Sequence, residues 1–221
     1  MKFIKSFCIV LSFFVLNAAA QDSAPNSTIE EVVKSGGIPA TATNESKTAK
    51  SSDPSEVSRY VRKDSPAQIP RLDIPPIIDG KLDDAIWQNA ALFGDFLQTQ
   101  PGDNVAPKHP TEFMMGYDSK NLYLAFRVVQ DKETVRATVS RRDNIFNDDY
   151  IGVFLDTFND QRQAYIFFFN PLGMQGDGTM TEGRGEDYSV DLVYESKGVL
   201  TEDGFTIEAA IPFKSLRYEA G

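Results

Sequence analysis

Residues 148–170 constrain this chain more than any other stretch. Two short apolar runs, 148–156 and 163–170, flank a polar segment at 157–162. In an extended first run Ile151, Val153 and Leu155 share one face, with Tyr150, Gly152 and Phe154 on the other. In the second, Tyr165, Phe167 and Phe169 oppose Ile166 and Phe168. Both runs are short, β-branched or aromatic, and bounded by Asp, Asn and Pro, which specifies strands rather than helix. The polar segment is long enough for an ordinary hairpin loop. A hairpin apolar on both faces must lie inside a sheet with cover on both sides. These features predict the core hairpin of an all-β domain.

The N-terminus predicts export. Lys2 and Lys5 precede an apolar run at 7–16, and Ala18, Ala19 and Ala20 supply small residues for cleavage. That is the pattern of a signal peptide (1–20), too short to span a membrane. The expected destination is periplasm, outer membrane or extracellular space. The chain's one cysteine, Cys8, lies inside this leader. Disulfides, a cysteine-ligated zinc and a cysteine nucleophile are therefore excluded from the mature chain. The one histidine, His109, sits between Lys108 and Pro110 in a loop context and cannot make a multi-histidine metal site. The formal charge is −10, and losing Lys2 and Lys5 makes it more negative. Such acidity argues against nucleic acid or an anionic bilayer as partner.

Residues 21–69 are rich in Ser, Thr, Ala, Asn, Lys and Glu and nearly free of aromatics. They hold too little apolar surface to offset ordering entropy, so a disordered tether is expected. The folded domain is expected at 70–221. Leu82, Ile86 and Ala90 repeat at helical spacing, with Asp83 and Asp84 in the first turn, which predicts one short helix over 81–92. Trp87 adjoins that stripe and reads as core. Strands are expected at 93–100, 112–117, 122–130, 135–139, near Met180, at 189–196 and at 204–211, with a turn leaving the sheet at 212–216. Glycines 173, 176, 178 and 183 mark turns and bulges, since no Gly-Lys-Ser/Thr follows them. Many short strands with one helix predict a jelly-roll-like β-sandwich.

Five motifs then carry a resemblance. Ile78-Asp79-Gly80-Lys81-Leu82-Asp83-Asp84-Ala85-Ile86-Trp87 resembles the opening of family 9 carbohydrate-binding modules. So do Tyr117-Asp118 with Leu122-Tyr123-Leu124, the run from Asp149 to Asp156, Asn170-Pro171-Leu172-Gly173, and the segment from Gly204 to Phe213. The order is that of the family, over roughly 72–218. Arg141-Arg142-Asp143, Phe158-Asn159-Asp160 and Phe213-Lys214-Ser215-Leu216-Arg217 are similar to the version that opens long secreted bacterial proteins continuing into an outer-membrane β-barrel.

The resemblance implies a β-sandwich, sugar recognition and, in some members, structural calcium. Sugar-binding members clamp a terminal sugar between tryptophans, whereas this chain has only Trp87, at the position of the structural one. A sugar site here would need tyrosine faces and polar side chains. The expected ligand-binding residues are Arg141, Arg142, Tyr150, Arg184, Tyr188 and Tyr194. Asp148, Asp149 and Asp156 are the calcium candidates, since calcium takes several oxygen ligands. The expected function is a secreted, non-catalytic carbohydrate-binding module linked to carbohydrate catabolism. The alternative is a docking domain for an outer-membrane barrel or partner domain. A glycoside hydrolase would need two carboxylates at defined separation. Glu182, Glu186, Asp187 and Asp191 are the candidates, but an acidic chain offers such residues by composition alone.

Overall fold

The computed structural model describes residues 60–61, 66–99 and 102–218, together with the backbone of 8–10. Among the described residues ten strands form two five-stranded sheets. They are β1 (Cys8–Val10), β2 (Ala91–Phe93), β3 (Thr111–Tyr117), β4 (Asn121–Val129), β5 (Ile151–Asp156), β6 (Gln163–Phe169), β7 (Gln175–Thr181), β8 (Gly185–Asp187), β9 (Glu195–Thr201) and β10 (Gly204–Pro212). One sheet has the order β1-β5-β6-β7-β8 and the other β2-β3-β4-β10-β9, and neighbouring strands are antiparallel throughout.

The expected core hairpin is β5–β6, with Val153 opposite Phe167. Its loop is closed by two aspartates. Asp156 accepts from the N–H groups of Phe158 and Gln161, and Asp160 from those of Arg162 and Gln163. Ile151, Val153, Leu155, Phe167 and Phe169 face the other sheet and meet Phe113, Leu124, Phe126 and Ile207. Phe154, Ile166 and Phe168 face outward, where Ile145 covers them. The second sheet alternates in the same way. Leu122, Leu124, Phe126 and Val128 point inward, while Tyr123 and Ala125 point outward under Trp87, Leu72 and Leu92. Both sheets are thus covered on both faces, as the unbroken apolarity of the hairpin demands.

The family-like motifs are held by side chains distant in sequence. Glu208, fully buried in β10, accepts from the Trp87 indole N–H at 2.7 Å and from the Asp79 and Gly80 N–H groups at 3.0 and 2.8 Å. Gly80 adopts φ +89°, and a Cβ there would come within 2.8 Å of Val199. Asn170 uses its carbonyl oxygen on the Leu172 and Met174 N–H groups and its amide on Thr138 O and Asp148. The turn this creates seats Gly173 directly on β9: a Cβ there would fall 2.5 Å from the Gly198 nitrogen.

Several local expectations need correction. The helical stripe closes only as a 3₁₀ turn over Ala85–Asn89, where Glu208 holds Gly80 ahead of the turn and Trp87 at its middle. The strand expected at 93–100 is β2, ending at Phe93, followed by a bridge between Gln98 and Val105. Residues 135–139 are irregular, because the Arg136 and Thr138 N–H groups bond Asp149 and Asp148 rather than a neighbouring strand. The strand expected at 189–196 begins only at Glu195. The tether expected at 21–69 lies mostly outside the described residues. Its end is ordered: Tyr60 bridges Leu92 and donates its hydroxyl to Glu112, so packing begins upstream of Pro70. Cys8–Val10, inside the expected leader, pairs with residues 154–156 of β5.

Candidate functional site

Of the residues expected to bind ligand, the structure brings Tyr150 and Tyr188 together. They lie on the outer face of the β5–β6–β7 sheet around Phe146 and Phe168. Phe146 meets Tyr150 edge-on at 5.4 Å between centroids and Tyr188 at 5.5 Å. Tyr150 and Phe168 are 5.6 Å apart, nearly perpendicular. Gly152 makes room for this packing, since a Cβ there would strike the Phe168 ring. Phe146 is 39% exposed, so the cluster presents one ring to solvent with two half-buried tyrosines beside it. Tyr188 donates its hydroxyl to Glu186. Burial, then the Glu186 carboxylate, pushes the Tyr188 and Tyr150 hydroxyls up from the usual tyrosine range. Arg141 and Arg184 are exposed.

Arg142 and Tyr194 belong to a different place. Residues 188–194 cross between the sheets instead of forming a strand, and this turns Tyr194 into the core, where it is 6% exposed. Its ring packs edge-on against Phe167 and Phe169 at 5.2 and 5.9 Å. Arg142 stands over that ring, 5.3 Å from its centroid. Its guanidinium donates to Asp177 at 2.5 Å, to Leu192 O at 2.8 Å, and to Gln175. Asp177 is fully buried; burial raises its carboxyl above the ordinary value while the Leu192 N–H and Arg142 pull it down. The expectation of a sugar-facing Arg142 and Tyr194 is therefore corrected: Arg142 pairs with the buried Asp177, and Tyr194 packs in the core beneath it.

The calcium candidates do not converge. Asp148 and Asp149 stand before β5 and Asp156 ends it. Asp148 accepts from Thr138 and Asn170, and Asp149 from Gln130 and Arg136. These N–H and O–H donors occupy the oxygens a cation would need. Among the described residues no group of three or more Asp, Glu, His or Cys could hold a metal ion. Of the candidate catalytic acids, Asp187 is held below the ordinary carboxyl range by the Ser189 hydroxyl and N–H. A general acid requires the opposite shift.

A cleft of about 540 Å³ opens where β6, β7 and the loop between β5 and β6 meet the C-terminal segment. Tyr165 and Phe158 supply its aromatic surface, and Thr157, Gln163, Thr179 and Thr181 its neutral polar groups. The C-terminal wall, 214–217, is anchored. Arg217 N–H donates to the Tyr165 hydroxyl at 3.0 Å, Thr157 Oγ1 to Arg217 O at 2.5 Å, and Ser215 Oγ to Val193 O at 2.7 Å. Sequence reasoning missed this site. Tyr165 shares the inward face of Phe167 and Phe169, and only the sandwich's open end leaves it beside a cavity. The one available signal was the motif from Phe213 to Arg217.

No curated protein matches the chain. Among solved structures it is similar to a family 9 carbohydrate-binding module from Caldicellulosiruptor kristjanssonii in complex with cellotriose. The identity is 21%, over 65% of this chain and 66% of that one, with a TM-score of 0.48. The chain thus spans just under two thirds of that protein's length. It is also similar in fold to a putative carbohydrate-binding protein from Bacteroides uniformis, at 13% identity over 69% of this chain and 75% of that one, with a TM-score of 0.54. The model of the carbohydrate family 9 binding domain-like family matches residues 78–221, which include the Glu208-anchored opening motif and strands β2 to β10. The chain belongs to that family.

Proposed function

We propose that this is an exported, non-catalytic carbohydrate-binding module serving carbohydrate catabolism, and that it holds its sugar in the cleft beside Tyr165. Family membership supports the ligand class. The observation that carries the site is the cleft's combination of size and lining. Its volume lies within the roughly 300–1,000 Å³ of ligand pockets. A pyranose presents C–H faces to aromatic rings and hydroxyls to polar forks, and Tyr165, Phe158, Gln163 and Thr179 offer both kinds of partner. The Phe146–Tyr150–Tyr188 patch offers one exposed ring.

The test is calorimetry of the chain against neutral and acidic mono- and oligosaccharides, repeated with Gln163→Ala/Thr179→Val and with Tyr188→Ala. Loss of binding in the first variant alone supports the cleft. Loss in the second alone moves the site to the outer patch. No binding to any glycan by a folded domain overturns the carbohydrate reading.

One observation favours a second reading, a docking domain. β5 is buried on both faces, and among the described residues its outer edge pairs with Cys8–Val10, inside the expected leader, so removal of the leader would open that edge. An unprotected edge of this kind accepts an added strand.

A further inference from the structure

We propose that the saccharide taken by the cleft is anionic, carrying a carboxylate or sulfate that Lys214 and Arg217 receive. This rests on the carbohydrate reading above and narrows it. The chain has 32 acidic against 22 basic residues, so by composition a surface cavity should be lined by more acid than base. The cleft departs from that: Lys214 and Arg217 line it, and no Asp or Glu does.

Two of the acids that flank the lining in sequence are directed elsewhere. Asp156, next to Thr157, binds the Phe158 and Gln161 N–H groups. Asp191, between Val190 and Leu192, is exposed and outside the lining. Neither cation forms an ion pair among the described residues. Both are exposed.

They are also carried on fixed backbone. Lys214 sits in the 3₁₀ turn Phe213–Ser215, tied to the fold by the Phe213 N–H on Lys120 O and by Ser215 on Val193 O. Arg217 is pinned on both sides of its Cα, to Tyr165 and Thr157. A guanidinium fork can pair two oxygens of a carboxylate or sulfate, and an ammonium adds a point charge. With Gln163 and Thr179 also in the lining, the ring hydroxyls and the acid group of one sugar would each meet a matching partner.

The test titrates the full chain with D-glucuronate and a galacturonate trimer, with a sulfated disaccharide, with glucose and cellotriose, and with inorganic sulfate alone. Lys214→Gln/Arg217→Gln follows, its folding checked by circular dichroism and melting. The expected result is an acidic sugar bound about tenfold or more tightly than its neutral counterpart. Added salt should weaken that preference, and the double variant should abolish it while retaining any neutral-sugar binding. Carboxylated and sulfated sugars compared against each other identify which acid group is read. Equal affinity for neutral and acidic sugars, or a preference that survives the double variant, overturns the inference and leaves the carbohydrate reading standing. Sulfate alone binding as tightly as the sulfated sugar overturns it too, since the sugar then contributes nothing. Binding of no sugar at all overturns both.

Discussion

The anchor formed by Trp87 and Glu208 gives the sharpest prediction about stability. Trp87 is 2% exposed and packs with Leu72, Leu92, Met114 and Tyr123 on the outer face of the second sheet. Trp87→Ala removes that ring and leaves Glu208 Oε1 without the indole donor. Large-to-alanine changes in a core cost about 3–5 kcal/mol, and an orphaned buried acceptor about 1–3 kcal/mol more. Protonation of Glu208 relieves part of the second cost, so about 4–6 kcal/mol is expected. That is a large share of the roughly 5–15 kcal/mol a domain has in total.

Trp87→Phe separates the two contributions. It keeps most of the apolar contact and deletes the N–H, so a loss of about 1–3 kcal/mol is expected, or roughly 3–10 °C in melting temperature. The pH dependence has a definite sign. Burial is the larger influence on Glu208 and holds its carboxyl above the ordinary glutamate value, against the pull of its three donors. Ionising it costs the folded domain more than the unfolded chain. Its contribution is therefore full below the ordinary value and declines as pH rises through the raised one. Removing the indole donor raises the folded value further, so the Trp87→Phe deficit should shrink at acidic pH. Urea unfolding at neutral and acidic pH, with Glu208→Gln completing a double-mutant cycle, measures the coupling. A Trp87→Phe variant as stable as the parent at neutral pH, or no coupling to Glu208, would refute the anchor.

Three other outcomes are expected. Gly173→Ala meets both a positive φ (+75°) and the backbone of β9, so it should destabilise by at least the roughly 1–3 kcal/mol of ordinary overpacking, measured by chemical denaturation. Arg142→Leu leaves Asp177 buried without its cation and should cost about 3–5 kcal/mol at neutral pH; the deficit should narrow on acidification as Asp177 takes a proton, and a pH-independent deficit would contradict the pairing. Deleting residues 1–20 strips β1 from β5, so hydrogen exchange should quicken at those amides within 154–156 that point toward β1, while the alternate amides bonded to β6 stay protected.

The class of fold was already legible in the pattern of residues. Alternation in 151–155, 165–169 and 122–128 could be satisfied only by strands covered on both faces, and those strands are β5, β6 and β4. That pattern also determined that Trp87 is core, because an indole beside an apolar stripe is buried when anything packs on that stripe.

Tertiary structure decided the rest. The helical spacing of Leu82, Ile86 and Ala90 yielded to a 3₁₀ turn because Glu208, over a hundred residues away, fixes Gly80 and Trp87. Tyr150, Tyr188 and Tyr194 look alike in the sequence. Two reach the outer patch, while the crossing segment carries the third into the core over Arg142 and Asp177. The adjacent aspartates that suggested a cation were claimed by the 136–138 backbone and by Asn170. The cleft was illegible for the same reason. Its walls come from five segments, from Thr157 to Arg217, and a cavity belongs to the space between them rather than to any pattern within one.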